Sequence, residues 1–120
     1  MGKSFKDLKV WQKSIDLAES VYRLCGSLPS SEKYGLCFQM QRCAVSVASN
    51  IAEGSKRRTS KDFHHFVSIS KGSTAELETQ LVIANRVHEL DTTNVIQRLI
   101  EVQKMLEKLD QSLLRTKTND

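Results

Sequence analysis

The sequence is poor in residues that interrupt helices and in aromatic residues. Its 120 residues include one proline, five glycines and seven aromatic residues. No apolar run approaches the roughly 20 residues of a membrane-spanning helix, and Asp7 falls where a secretion signal would have its apolar core. Apolar residues make up 39% of the chain and charged residues 27%, which is typical of a globular protein. We therefore expect a single helical domain over residues 1–120, located in the cytoplasm and without membrane contact.

Cysteine is also scarce, and its spacing excludes the usual cysteine chemistry. Cys25, Cys37 and Cys43 are odd in number and contain no Cys-x-x-Cys pair. The expected role of all three is that of small buried residues in a reducing compartment. No metal and no other cofactor is expected.

Positive charge is concentrated in the first half of the chain. The net charge is +4 overall, with +6 in residues 1–61 and −2 in residues 62–120. The densest basic cluster is Lys56, Arg57, Arg58 and Lys61, and a second group consists of Lys3, Lys6, Lys9 and Lys13. Such asymmetry indicates either a surface that binds polyanions or an ordinary solvated surface, with cations favoured near a helix C-terminus.

Apolar periodicity predicts four helices, at about 6–25, 31–54, 60–90 and 92–115. Capping-box patterns start the first and third helices, at Ser4-x-x-Asp7 and Thr59-x-x-Asp62. The tail after residue 115 is polar and is expected to fray. Four such helices with short connections predict an all-α fold, an antiparallel up-down four-helix bundle. A bundle of this length is a rod, and its surplus of lateral apolar residues favours self-association.

Each predicted helix has an apolar seam at heptad spacing. The seams are Leu8, Trp11, Ile15, Ala18, Tyr22 and Cys25; Leu36, Met40, Cys43, Val47, Asn50 and Gly54; Phe63, Phe66, Ser70, Ser73, Leu77, Leu81, Ala84 and Val87; and Val95, Leu99, Val102, Leu106, Leu109 and Leu113.

Polar and small residues interrupt the second and third seams. Gly72 lies inside a predicted helix, where glycine costs roughly 1 kcal/mol relative to alanine. One interpretation is a close approach of the two helices, with Asn50, Glu53, Ser73 and Glu76 in a shared polar network that fixes their register. The alternative is a binding or catalytic pocket between the helices.

Few residues are spaced for catalysis. His64 and His65 are adjacent, so they point about 100° apart on a helix and cannot grip one metal, and His88 lies farther along the same predicted helix. The sequence has no metalloprotease motif, no phosphate-binding glycine loop and no nucleophile elbow. We expect a protein that is not an enzyme and that has no small-molecule substrate. An enzymatic role would depend on Glu53 or Glu76.

Three stretches resemble one known family. They are the opening FKDLKVWQK from residue 5, the central RCAVSVASNIAEG of residues 42–54, and the later SKDF, SKGS and ELE from residues 60, 70 and 76. Together they are similar to the 23S rRNA intervening-sequence protein family, also called four helix bundle proteins, over about residues 5–114.

The resemblance implies architecture more than activity. Family members are encoded in many bacteria, some of them within insertions in large-subunit rRNA genes, and they form antiparallel four-helix bundles that assemble as ring-like homopentamers. A distant relative is the basic accessory protein of diversity-generating retroelements, which binds reverse transcriptase and nucleic acid. The resemblance thus implies that this chain associates with copies of itself as a homopentamer.

Two functional hypotheses follow. The first is an RNA-associated oligomeric scaffold, whose Lys56, Arg57, Arg58 and Lys61 bind phosphates of rRNA or another nucleic acid without reading sequence. The second is an adaptor that docks another protein and has no RNA role of its own.

Overall fold

A computed structural model describes residues 4–116 of the chain. The four α-helices are α1 (Lys9–Cys25), α2 (Leu36–Ser55), α3 (Ser60–His88) and α4 (Thr93–Thr116), and short 3-10 turns at Phe5–Asp7 and Ser30–Glu32 precede α1 and α2. The described residues contain no β-strand, so the all-α prediction is confirmed for them. The predictions for Lys3 and for the tail at 117–120 fall outside the described range.

The helices pack side by side into a body of 50 × 23 × 21 Å. α3 has 29 residues and is therefore about 43 Å long at the usual helical rise. Contacts between α2 and α3 pair Cys43 with Glu76, Ser46 with Ser73 and Val47 with Ser70, so the residue numbers fall on one helix as they rise on the other.

The core is a continuous column of aliphatic side chains from all four helices. Its largest fully buried members are Leu17, Met40, Ile51, Leu77, Leu81, Leu99 and Leu106. Within residues 4–116, no helix combines the length and apolarity needed to cross a membrane.

The predicted seam of α1 is wrong by about one residue. Val10, Ser14, Leu17 and Val21 are the buried residues of this helix, whereas Tyr22 of the predicted seam is half exposed. Ser14 is buried because its hydroxyl donates to the carbonyl oxygen of Val10 at 2.7 Å, within the same helix. Ser14 interrupts the apolar pattern of the buried stripe, so the fully apolar neighbouring stripe was predicted instead.

The start of α1 also differs from the prediction. The Ser4 hydroxyl accepts from the Lys6 N–H at 3.1 Å, so it caps a 3-10 turn rather than the α-helix. Leu8 then has an extended backbone, and α1 begins at Lys9. The ring of Phe5 packs edge-on against Trp11, which holds the turn against the helix.

α2 begins five residues later than predicted, because Gly35 has a backbone conformation outside the helical region. The Glu32 carboxylate accepts from the Leu36 N–H at 3.2 Å and so satisfies a donor at the helix start. Thr59 caps α3 by accepting from the Asp62 N–H at 3.1 Å. α3 ends at His88 because the next residue, Glu89, is left-handed with φ 53°.

Candidate nucleic-acid interface

The basic cluster lies in the connection between α2 and α3. α2 ends at Ser55, and the N–H groups of Lys56 and Arg57 donate back to Glu53 and Gly54 carbonyls at 3.3 and 3.1 Å. Lys56, Arg57 and Arg58 are all exposed. Cations are favoured here because the carbonyl end of a helix carries partial negative charge.

Gly54 fixes how closely α3 approaches this connection. A Cβ atom at Gly54 would lie 2.7 Å from both the Phe63 ring and the Phe66 Cβ, so only glycine fits without displacing the aromatic residues. Gly72 is different, since a Cβ there meets no atom within 4 Å. The predicted close approach of α2 and α3 therefore does not involve Gly72, which faces open space.

Arg57 is held against the protein rather than extended into solvent. Its guanidinium donates to the Glu53 carboxylate at 2.5 Å and lies 4.7 Å from the centroid of the Phe66 ring. Cation–π contact and an ion pair one helical turn apart both restrain the side chain. The Glu53 charge also offsets part of the Arg57 charge.

The structure joins the two basic groups of the sequence at one place. The Lys56 ammonium lies 5.9 Å from the centroid of the Phe5 ring, and the turn at Phe5–Asp7 packs against α2. Exposed Lys6 lies within that turn, and exposed Lys9 begins α1 just after it. Lys13 instead pairs with Glu101 at 3.6 Å. We define the basic end as Lys6, Lys9, Lys56, Arg57, Arg58 and Lys61. Sequence spacing alone could not show that its two parts meet.

Two of the four residues assigned to the polar network share hydrogen bonds through a third residue, Ser46. The hydroxyls of Ser46 and Ser73 lie 2.8 Å apart, and the Asn50 amide donates to the Ser46 hydroxyl at 3.0 Å. Glu53 bonds Arg57 instead, and Glu76 accepts a weak bond from the Cys43 thiol at 3.9 Å. Ser46 lies one helical turn before Asn50, a spacing that could have included it in the network.

A second polar cluster, which was not predicted from the sequence, joins α3 to α4. Asp110 is 4% exposed, and its carboxylate contacts His64 Nδ1 at 2.5 Å and the Lys71 ammonium at 3.1 Å. Lys71 also pairs with Glu107 at 2.9 Å, and these partners raise the pKa of the lysine. Burial alone would raise the pKa of Asp110, but the hydrogen bonds from His64 and Lys71 outweigh it and lower that pKa.

The signal for this cluster was present in the spacing. His64 and Lys71 are seven residues apart, so they lie on one face of α3. Asp110 was missed because the predicted seam continued from Leu106 to Leu109. The buried position shifts to 110 since a straight helix drifts from a seven-residue repeat.

The fold and the basic end define a class: an all-α protein of four packed helices with cations collected around the α2–α3 connection. Comparison with family models makes the assignment specific. The model of the 23S rRNA-intervening sequence protein family matches residues 6–108, so the chain belongs to this family. A search of curated proteins finds no match.

Proposed function

We propose that this protein is an RNA-associated, non-enzymatic oligomeric scaffold that binds the phosphate backbone through the basic end. The observation that carries the proposal is the meeting of the α1 start and the α2–α3 connection at Lys56 and Phe5. The six cations of the basic end lie in three short segments, where Asp7, Glu53 and Asp62 offset part of their charge and leave a local excess of positive charge. The family relationship supports an rRNA connection.

The proposed topology is an antiparallel up-down bundle. The opposed residue numbering along α2 and α3 supports it, as does the contact of His64, near the start of α3, with Asp110, near the end of α4. In this topology the start of α1, the α2–α3 connection and the end of α4 share one end of the rod.

The proposed assembly is a ring-like homopentamer. Two separate sets of exposed apolar residues support it, namely Tyr22, Phe38 and Val45 on α1 and α2, and Ile69, Val82 and Ile83 on α3. We call these the α1–α2 face and the α3 face. Contact between different faces of successive copies is heterologous, and such contacts generate rings when the rotation closes. Gly72 lies beside the α3 face, where its missing side chain leaves room for a neighbouring backbone.

The assembly has a direct test. Phe38→Asp and Ile83→Asp should each give monomers by light scattering, because each breaks one half of a heterologous contact. Mixing the two variants should restore a single good contact and therefore a heterodimer, without a ring. Ile100→Asp on α4, of similar exposure, is the matched control and should keep the wild-type mass. An Ile83→Asp variant of unchanged mass would contradict the arrangement.

RNA binding should be steeply salt-dependent, since five copies of a +4 chain carry a nominal +20 charge. We would measure binding of a mixed-sequence RNA oligonucleotide across a salt series by fluorescence anisotropy. Arg57→Ala with Arg58→Ala should weaken binding and reduce the slope of log K against log salt by about one for each phosphate that is no longer neutralised.

Single variants sharpen this test. Arg58→Ala should cost more affinity than Arg57→Ala, because Arg57 already contacts Glu53 and Phe66. Lys33→Ala, an exposed cation just before α2, is the matched control and should bind as the wild type does. Absence of binding at low salt, or unchanged binding by the double variant, would reject the RNA role and leave the protein-docking adaptor.

The proposal includes a cytoplasmic location and no catalytic role or cofactor. Three free thiols support a reducing compartment. The non-catalytic part is tested by incubating the protein with labelled RNA and resolving the products on a gel. His64 is paired with buried Asp110, and RNA cleavage that is lost in the His64→Gln variant would contradict the non-catalytic role.

A further inference from the structure

Two of the three cysteines lie against each other at the connection between α1 and α2. Cys25 is the last residue of α1, and Cys37 is the second residue of α2. The Cys37 sulfur lies 3.7 Å from the Cys25 carbonyl oxygen, and the Cys25 sulfur lies 3.9 Å from the Cys37 carbonyl oxygen. Each side chain thus reaches the main chain of the other residue, an approach compatible with the Cα separation of about 4.4–6.8 Å in disulfides.

We propose that Cys25 and Cys37 form an intramolecular disulfide when the protein is exposed to a peroxide, which makes the pair a site of oxidative modification. Cys25 is partly exposed and Cys37 is buried beneath it. Both cysteines line an open groove of about 530 Å³, whose rim includes Tyr22 and Tyr34. A molecule as small as hydrogen peroxide can enter such a groove.

The reaction balances with peroxide as the oxidant. The Cys25 thiolate attacks one peroxide oxygen, the O–O bond breaks, and a sulfenic acid and one water form. The Cys37 sulfur then attacks the Cys25 sulfur, forms the S–S bond and expels the hydroxyl group as a second water. The two thiols lose two hydrogen atoms in total, and the peroxide is reduced to two waters.

Cys43 is excluded from this pair by its position. It lies six residues beyond Cys37 on the same helix, about 9 Å along the axis, and its sulfur faces Glu76 on α3. The folded chain therefore offers one pairing, whereas the unfolded chain offers three.

The local environment makes the first step slow at neutral pH. Burial raises the pKa of Cys25 to about 12, and the adjacent Cys37 side chain adds to the increase. Since the thiolate is the nucleophile, oxidation should accelerate as the pH is raised.

The test uses the full chain treated with hydrogen peroxide, then unfolded and alkylated, followed by intact mass measurement and peptide mapping. We expect a product that lacks two hydrogen atoms, retains one alkylatable thiol at Cys43, and yields a linked Cys25–Cys37 peptide pair. The oxidised protein should also melt at a higher temperature, because the bond closes the segment 25–37 in the unfolded state.

Variants complete the test. Cys43→Ser should form the same disulfide, and Cys25→Ala should form no intramolecular disulfide while keeping the helical circular dichroism of the wild type. If Cys37→Ala unfolds, Cys25→Ala still decides the result, because Cys25 is the more exposed of the two cysteines and its replacement disturbs the core less. A linked peptide that contains Cys43, a disulfide between two chains, or oxidation of the folded wild type no more selective than that of the urea-unfolded chain would overturn the proposal.

Discussion

The Nδ1 atom of His64 lies 2.5 Å from Oδ1 of Asp110, and this contact fastens the first turns of α3 to the last turns of α4. The side chain of Asp110 is 6% exposed, whereas that of His64 is 28% exposed. A carboxylate this deeply buried needs partners, and His64 and Lys71 each take one of its two oxygens.

Asp110→Asn should destabilise the protein by about 1.5–3 kcal/mol, the range for hydrogen bonds to charged groups. The neutral amide keeps the shape of the side chain but loses the charge attraction to Lys71. Its NH2 group also replaces one of the two oxygens that accept hydrogen bonds from His64 and Lys71. Urea unfolding followed by circular dichroism measures the change. Glu107→Gln is the matched control, since it removes the exposed partner of the same lysine and should cost less than about 1 kcal/mol. Equal losses in the two variants would contradict the importance of the buried contact.

Stability should fall in acid. The pKa of Glu32 is lowered by its hydrogen bonds from His88 and the Leu36 N–H, and the pKa of Asp110 is also lowered. A carboxyl group whose pKa is lower in the folded state contributes full stability above its unfolded pKa of about 4, and loses it as the pH drops towards the folded value. Unfolding free energies between pH 7 and pH 2.5 should decline below about pH 5. Asp110→Asn should flatten that decline, and an equally steep curve for the variant would assign the acid sensitivity to other groups.

Leu106→Ala should cost about 2–5 kcal/mol, because Leu106 is fully buried in the seam of α4 and its truncation leaves a cavity. Leu114→Ala on the same helix removes the same atoms from a side chain that is 42% exposed, and should cost less than about 1 kcal/mol. Thermal and urea unfolding compare the two. Similar losses would mean that the end of α4 packs as tightly as its middle.

The two helical glycines should respond in opposite directions to alanine. Gly54→Ala should destabilise by about 1–3 kcal/mol, because the added methyl group collides with Phe63 and Phe66. Gly72→Ala should stabilise by up to about 1 kcal/mol, since alanine is the better helix former and nothing lies in its way. Both changes are best measured with Ile83→Asp present, which breaks the proposed subunit contact. Destabilisation by Gly72→Ala in that monomer would reveal a neighbour within the chain.

The sequence patterns predicted the presence of long helices better than they predicted which face of each helix is buried. Four helices could be predicted because apolar periodicity persists over many turns. The α4 seam residues Val95, Leu99, Val102 and Leu106 are buried as that periodicity requires. The buried face of α1 could not be predicted, because apolar residues occur on two adjacent stripes of the helix. The buried stripe includes Ser14, whose hydroxyl forms a hydrogen bond within the same helix. Helix starts depended on Leu8 and Gly35, whose backbone conformations follow from tertiary packing and turn geometry.

The candidate site was predictable in part. Consecutive cations at Lys56, Arg57 and Arg58 were visible in the sequence, but the restraint of Arg57 by Phe66 required knowledge of how α3 returns past the connection. The same holds for Phe5, which lies under Lys56 although 51 positions separate them. Pairings between distant segments depend on the packed structure, and a single sequence contains no periodic signal for them.

The two histidine–carboxylate contacts divide the rod into regions with different chemistry. His64 and His88 are 24 residues apart on α3, about 36 Å along its axis. Between them, Ser46, Asn50 and Ser73 form hydrogen bonds that carry no ionisable group. Acidification below about pH 5, where Glu32 and Asp110 begin to take up protons, should therefore weaken the two ends of the rod before the hydrogen bonds at its middle, so that fraying begins at the ends.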